Sequence, residues 1–194
     1  MMDTALPLIA IRDIYNQSLP FGSLWRDQAA LLVFLRHPGC AVCRRNLLDL
    51  YEYTTAFRML DINLAVITMA EPAAAQAFAR LYRLPIPIYS DPERQIYRAA
   101  GFSEGSLYSV ASPQVMLHQA WQFLQGHWVG GGQGQSLTQH GGHALIKCRA
   151  TAPSYIHVAD PIYRYPAWQS VLEYTQQRFY TTEDINPSFA RQLA

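Results

Sequence analysis

The sequence predicts an α/β protein with a mixed central sheet flanked by helices, and three observations carry that reading. Two short, almost continuously apolar runs, residues 30–36 and 63–68, have the length and composition of strands buried on both faces. The segments that follow them, 41–60 and 72–82, show helical periodicity or an alanine-rich composition. The resulting order of strand, helix, strand, helix, strand implies right-handed crossovers that lay the first two helices against the sheet.

Residues 1–6 read as a loose end, 7–15 as an edge strand, and 16–27, with Pro20 and Gly22, as a loop feeding the first buried strand. In 41–60, Cys43, Leu47, Leu50, Thr54 and Phe57 recur at helical spacing and form one face, while Arg44, Arg45, Asp49 and Glu52 lie off it. Pro72 suits the first turn of the next helix. After a short strand at 85–89, Asp91 reads as a helix cap with Pro92 at the first helical position, and Gly101 ends that helix. Residues 113–124 are apolar and helical, and 126–142 are rich in Gly and Gln. Segments 143–148 and 155–158 read as paired strands across a turn containing Pro153. The last helix, 167–179, offers Trp168, Val171, Leu172 and Tyr174 for packing. The expected organisation is one domain over 1–180 and a polar tail over 181–194.

Composition narrows the class. Of 194 residues, half are hydrophobic and 15% are charged, which suits a folded chain with a sizeable core. The net charge is +1 and Lys147 is the one lysine, so the basic patch of a nucleic-acid binder is missing. No apolar run approaches the roughly 18 residues of a membrane span, and no basic-then-apolar leader opens the chain. Three cysteines are too few for a disulfide scaffold and odd in number, which points to the cytoplasm and to thiols reduced at rest.

The chemistry is concentrated where the first buried strand runs into Pro38-Gly39-Cys40-Ala41-Val42-Cys43. A helix N-terminus offers unpaired N–H groups and the positive end of a dipole, which favour a thiolate over a thiol. Cys43 leads the inward helical stripe and is expected to be the more buried. Cys40, three residues earlier, is expected where solvent and substrate reach it. Residues three apart at a helix start bring their α-carbons within the about 7 Å a disulfide needs. Cys40 then attacks and Cys43 resolves. The bland alternative is two structural core thiols. A zinc site would need two further ligands from Cys148, His118, His127, His140 and His143, which lack paired spacing. Arg36, at the strand end, is placed to lower the Cys40 pKa or hold an anion. Arg44 and Arg45 read as solvated charges. His37 is placed to stabilise the thiolate or shuttle a proton, against the plain reading of a loop histidine. Cys148 reads as core packing, the glycines at 130–134 as a surface loop, and Trp121, Trp128 and Trp168 as core or interface.

Residues 34–45 resemble the Arg-Arg-Pro-Gly-Cys-x-x-Cys-Arg segment of the peroxiredoxin-like proteins. These belong to the alkyl hydroperoxide reductase/thiol-specific antioxidant superfamily, which includes the prostamide/prostaglandin F synthase-like proteins. Tyr89-Ser90-Asp91-Pro92-Glu93 with Tyr97-Arg98-Ala99-Ala100-Gly101, the stretch from Gln139 to Ile146, and Tyr155-Ile156-His157 with Asp160 are similar to later segments of that group. The resemblance covers about residues 28–175. It implies a thioredoxin-like fold, in a peroxiredoxin-like variant with an insertion before the last two strands, and thiol redox activity without metal or other bound cofactor. It implies a catalytic set of Cys40, Cys43 and Arg36, and substrate contacts from His37, Pro38, Gly141 and Gly142. In such folds the loop holding the two glycines faces the nucleophile and binds through its backbone. The substrate would be a small disulfide, hydroperoxide or endoperoxide, and the electron donor a thiol such as thioredoxin or glutathione. A homodimer is compatible with it. The chain departs from the Pro-x-x-x-Thr/Ser-x-x-Cys motif of typical peroxiredoxins, because Pro38 lies two residues before Cys40. Two other readings stand beside it: a redox-inactive binding or assembly module, and a pathway-specific enzyme using the cleft for non-redox chemistry.

Overall fold

The computed structural model describes residues 6–36, 38–102, 104–105, 113–124, 136, 138–161 and 163–179. The chain opens with β1 (Ala10–Arg12), β2 (Ser18–Pro20) and a 3-10 segment over Phe21–Trp25, then enters β3 (Ala29–Leu35). Next come α1 (Ala41–Asp49), a 3-10 turn over Leu50–Tyr53, and α2 (Thr54–Met59). The chain continues through β4 (Ile62–Thr68), α3 (Pro72–Leu81), β5 (Ile88–Ser90), α4 (Gln95–Ala99) and α5 (Pro113–Leu124). It closes with β6 (Gly142–Ile146), β7 (Tyr155–Val158) and α6 (Trp168–Phe179). The strands form one mixed sheet in the order β2-β1-β5-β4-β3-β6-β7. β3, β4 and β5 run parallel, and the remaining pairs are antiparallel.

The continuous apolar character of β3 follows from its central place. Side chains alternate across a strand. Leu31, Val33 and Leu35 face a core built with α1, α2, α3 and α6, while Ala30, Leu32 and Phe34 face a second core with Phe21, Trp25, Ile96 and Tyr97. The stripe read from 41–60 is also real: Cys43, Leu47, Leu50, Thr54 and Phe57 are all buried, although a 3-10 turn splits the helix.

Several elements differ from the sequence reading. The edge is β2, inside the expected loop, and β1 lies one strand in. Asp13 makes that hairpin by accepting from the N–H groups of Tyr15 and Gln17, a side-chain turn that leaves β2 only three residues long. The helix expected from Pro92 begins at Gln95, because Arg94 takes a left-handed backbone (φ 57°). Asp91 still caps it, accepting from the N–H groups of Gln95, Ile96 and Tyr97, and Gly101 ends it at φ 87°. Cys148, expected to pack in the core, is exposed in a turn beyond β6, where its thiol donates to the Arg26 carbonyl. β6 runs antiparallel to β3, so Cys148, just past its end, lies at the opposite end of the sheet from Cys40. The tail at 181–194, Trp128, His127 and the glycines at 130–134 lie outside the described residues, as do residues 1–5 of the expected loose end.

Hydrogen bonds from Tyr97 and Trp168 hold the strand ends and the helix that flank the cysteines. The Tyr97 hydroxyl, wholly buried, donates to the carbonyls of Leu35 at 2.5 Å and Ile67 at 3.0 Å. The Trp168 indole donates to the Asn46 carbonyl at 2.7 Å, tying α6 to α1, and its ring meets Phe57 edge-on. Helix α5 packs beside α1 and leaves Met116, Leu117, Trp121 and Leu124 exposed. Tyr97→Phe deletes both bonds to the strand ends. Urea unfolding is expected to show a loss of about 1–3 kcal/mol, and an unchanged midpoint would contradict this role for the hydroxyl.

Candidate active site

Cys40 is the N-cap of α1, with an extended backbone (φ −76°, ψ 110°), and its sulfur accepts from the Cys43 N–H at 3.3 Å. The Cys43 thiol donates to the Cys40 sulfur at 2.7 Å. The Pro38-Gly39 break and the cap geometry set Cys40 at the mouth of the helix. The 3.6-residue turn then returns Cys43 to the same side. The sulfurs thus stand within about 1 Å of the bonded distance of a disulfide.

The two thiols differ in acidity. Burial alone would push Cys40 up. The hydrogen bond from the Cys43 thiol, the Arg36 charge, the Cys43 N–H and a hydrogen bond from Arg36 outweigh it and bring Cys40 down to about 6. Cys43 goes the other way, because burial and the neighbouring Cys40 sulfur both resist a second negative charge. Arg36 is itself buried. Burial opposes its charge, but the Cys40 and Cys43 sulfurs more than offset that and push its pKa up. One anion and one cation share the pocket, with Cys43 as a proton-bearing neighbour.

Cys40 is nevertheless fully covered, with 0% of its surface exposed, and so differs from the solvent-facing thiol the sequence suggests. Helix α5 lies beside α1, and Tyr165 and Trp168 reach across to the Cys43 sulfur and the Asn46 carbonyl, so the cysteine end of α1 is packed against although its Arg45–Asp49 face stays at the surface. The Tyr165 hydroxyl donates to the Cys43 sulfur at 3.6 Å, from 122 residues away in sequence. Its ring lines a cleft of about 540 Å³ with Val42, Asn46, Tyr53, Tyr163 and Trp168. The Tyr165 pKa is pushed well up by burial and by the two sulfurs, so the hydroxyl keeps its proton.

Of the residues singled out in the sequence, Arg36, Cys40, Cys43 and Gly141 come together. A Cβ on Gly141 would sit 2.5 Å from the Phe34 carbonyl oxygen and 3.1 Å from the Tyr165 hydroxyl, so its missing side chain admits both β3 and the tyrosine. Gly142 packs against the His157 carbonyl and Phe102 in the same way. Pro38 is partly exposed in the turn before Cys40, and His37 lies outside the described residues. Arg44 is buried with its guanidinium over the Tyr82 ring, in place of the solvated charge expected, whereas Arg45 pairs with Asp49 at the surface. Among the described residues, no three His, Cys, Asp or Glu side chains gather as a metal-binding group, and no helix is long and apolar enough to cross a membrane.

Sequence reasoning missed Tyr165 and the aromatic stack behind it. His143, wholly buried, lies parallel to Tyr165 with centroids 5.6 Å apart and against Trp168 at 4.6 Å. Neither of its ring nitrogens has a hydrogen-bond partner among the described residues. Burial, aided by His157, lowers its pKa to about 3. No spacing signal joins Tyr165 to Cys43, because the pair meet only through the docking of α6.

Comparison with known proteins decides the family. The sequence pattern of the AhpC/TSA family matches residues 3–123, well over half of the chain. The chain belongs to the AhpC/TSA family. Among curated members it is 31% identical over 135 residues to human peroxiredoxin-like 2C, covering 65% of this chain and 60% of that one. It is 26% identical over 143 residues to the prostamide/prostaglandin F synthase of Salmo salar, covering 70% and 68%. The chain spans about 60% of the length of the peroxiredoxin-like 2C relative. Among solved structures, Xanthomonas campestris peroxiredoxin Q superposes with a TM-score of 0.61 at 11% identity, covering 93% of this chain and 97% of that one. Peroxidoxin BcpB of Mycobacterium tuberculosis superposes with a TM-score of 0.59 at 13% identity, over 89% and 94%. The architecture is therefore thioredoxin-like in its peroxiredoxin form.

His143 gives this site a pH signature. Its pKa is 6.5 when solvated and about 3 when folded. Between those values the unfolded chain holds a proton that the folded chain refuses, so stability falls as pH falls through that window. Urea midpoints of wild type and His143→Phe at neutral and mildly acidic pH are expected to show a smaller acid loss in the variant, and equal losses would contradict the assignment.

Proposed function

We propose that this protein is a dithiol oxidoreductase in which Cys40 is the attacking sulfur and Cys43 the resolving one. The observation that carries the reading is an ionisable Cys40 at a helix N-terminus, paired with Arg36 and 2.7 Å from a protonated thiol. With a hydroperoxide, the Cys40 thiolate attacks the terminal oxygen and the O–O bond breaks. The alcohol or water leaves with a proton, and Cys40 becomes a sulfenic acid. Cys43 then attacks the Cys40 sulfur, water leaves, and a disulfide remains. An external thiol such as thioredoxin or glutathione returns both sulfurs to thiols. Small disulfides and endoperoxides fit the same chemistry; the Salmo salar relative is named for prostamide and prostaglandin F synthesis.

In this reading Arg36 holds the thiolate and polarises the oxidised substrate. Pro38 and the backbone at Gly141 bound the approach to the sulfur. The cover over Cys40 moves aside for substrate, so small oxidants react more readily than bulky ones. The protein works in a reducing compartment such as the cytoplasm, as one domain over 1–180 with a tail at 181–194, and a homodimer is compatible with this role. A second reading, a redox-inactive thioredoxin-fold binding module, is favoured by one observation, the complete burial of Cys40.

Intact-mass analysis after one equivalent of hydrogen peroxide separates the two. The enzyme reading predicts loss of two hydrogens in wild type, one added oxygen trapped by dimedone in Cys43→Ser, and no early oxidation in Cys40→Ser. Wild-type protein whose Cys40 and Cys43 stay reduced would support the module and overturn the enzyme.

A further inference from the structure

Tyr165 brings a hydroxyl to the resolving sulfur from a distant part of the chain. Three features make its position specific. Its hydroxyl meets the Cys43 sulfur at 3.6 Å. Its ring is held parallel to His143, which is packed in turn on Trp168. Gly141 supplies the space beside the hydroxyl, which a Cβ there would approach to 3.1 Å. Tyr165 also lines the cleft beside α1.

We propose that Tyr165 is a catalytic hydrogen-bond donor to Cys43, stabilising the negative charge that this sulfur carries when the disulfide closes and when it reopens. The role rests on the dithiol reading given above. In closure, the Cys43 thiol releases its proton, its sulfur bonds to Cys40, and the S–O bond of the Cys40 sulfenic acid breaks. The departing hydroxide takes up the proton as water. In reopening, an external thiolate attacks the Cys40 sulfur and Cys43 leaves as a thiolate. The Tyr165 hydroxyl donates to the Cys43 anion in both directions and keeps its own proton throughout. A donor aimed at developing charge inside a covered site is more effective than one in water, because the surroundings offer no competing partner.

Tyr165→Phe removes the hydroxyl and keeps the ring on His143. The first test oxidises wild type and Tyr165→Phe with one equivalent of hydrogen peroxide and traps remaining sulfenic acid with dimedone at timed delays. Disulfide closure, read as the lifetime of the sulfenic acid once it has formed, is expected to slow about tenfold. The second test needs no oxidant: ultraviolet thiolate titration of Cys43 in a Cys40→Ser/Cys148→Ser background, with and without Tyr165→Phe. The midpoint is expected to rise by about one pH unit without the hydroxyl. Wild type inert to peroxide would remove the proposed function and leave the titration to decide the tyrosine. An unchanged Cys43 midpoint, or closure at the wild-type rate in peroxide-reactive protein, would overturn the role of Tyr165. Should Tyr165→Phe fail to fold, 3-fluorotyrosine at position 165 keeps ring and hydroxyl and strengthens the donor. It should lower the midpoint, and a rise would overturn the proposal.

Discussion

Two sulfur atoms are held 2.7 Å apart at the first turn of α1, inside the protein, and much of the surrounding structure serves that contact. Bringing an ionisable thiol into a low-dielectric interior is unfavourable unless partners offset the lost solvation. Here the partners come from different parts of the chain. Arg36 directly follows the central strand, the Cys43 N–H and thiol belong to the helix, and the Tyr165 hydroxyl arrives from the segment before α6. Placing negative charge on Cys40 makes a second charge on Cys43 harder to form. One geometry therefore yields a ready nucleophile and a reserved partner.

The scaffold accounts for the precision of that geometry. β3 is buried on both faces and paired on both edges, so its C-terminal end has little freedom. Tyr97 grips the carbonyls of Leu35 and Ile67, and Trp168 fastens α1 from the other side. Gly141 lets β6 and Tyr165 approach closely enough to close the pocket. Helix α5 covers one flank of α1 with an apolar segment whose own outer face stays exposed.

What the sequence made legible was local. The apolar run of β3, the inward stripe from Cys43 to Phe57, the cap at Asp91 and the stop at Gly101 each depend on residues within one or two turns of one another. They are realised, apart from shifted boundaries. What stayed hidden was long-range. Helix α5 and the segment from Tyr165 to Trp168 dock on α1, and no periodicity in either announces that partner. Cys148 looked like a strand residue, yet β6 ends two residues earlier and the chain turns outward. β2 was lost because three residues ending in proline carry too little pattern to outweigh the turn chemistry around Asp13. The similarity to peroxiredoxin Q at 11% identity shows the same point at the scale of the fold: the architecture survives where few side chains match.

The most direct test is the ionisation of Cys40 itself. Ultraviolet thiolate absorbance of the reduced protein, followed from acidic to alkaline pH, should reveal one thiolate appearing with a midpoint near 6 that is absent from Cys40→Ser. A reduced protein whose first thiolate appears only at or above the ordinary cysteine value of about 8.5 would contradict the account.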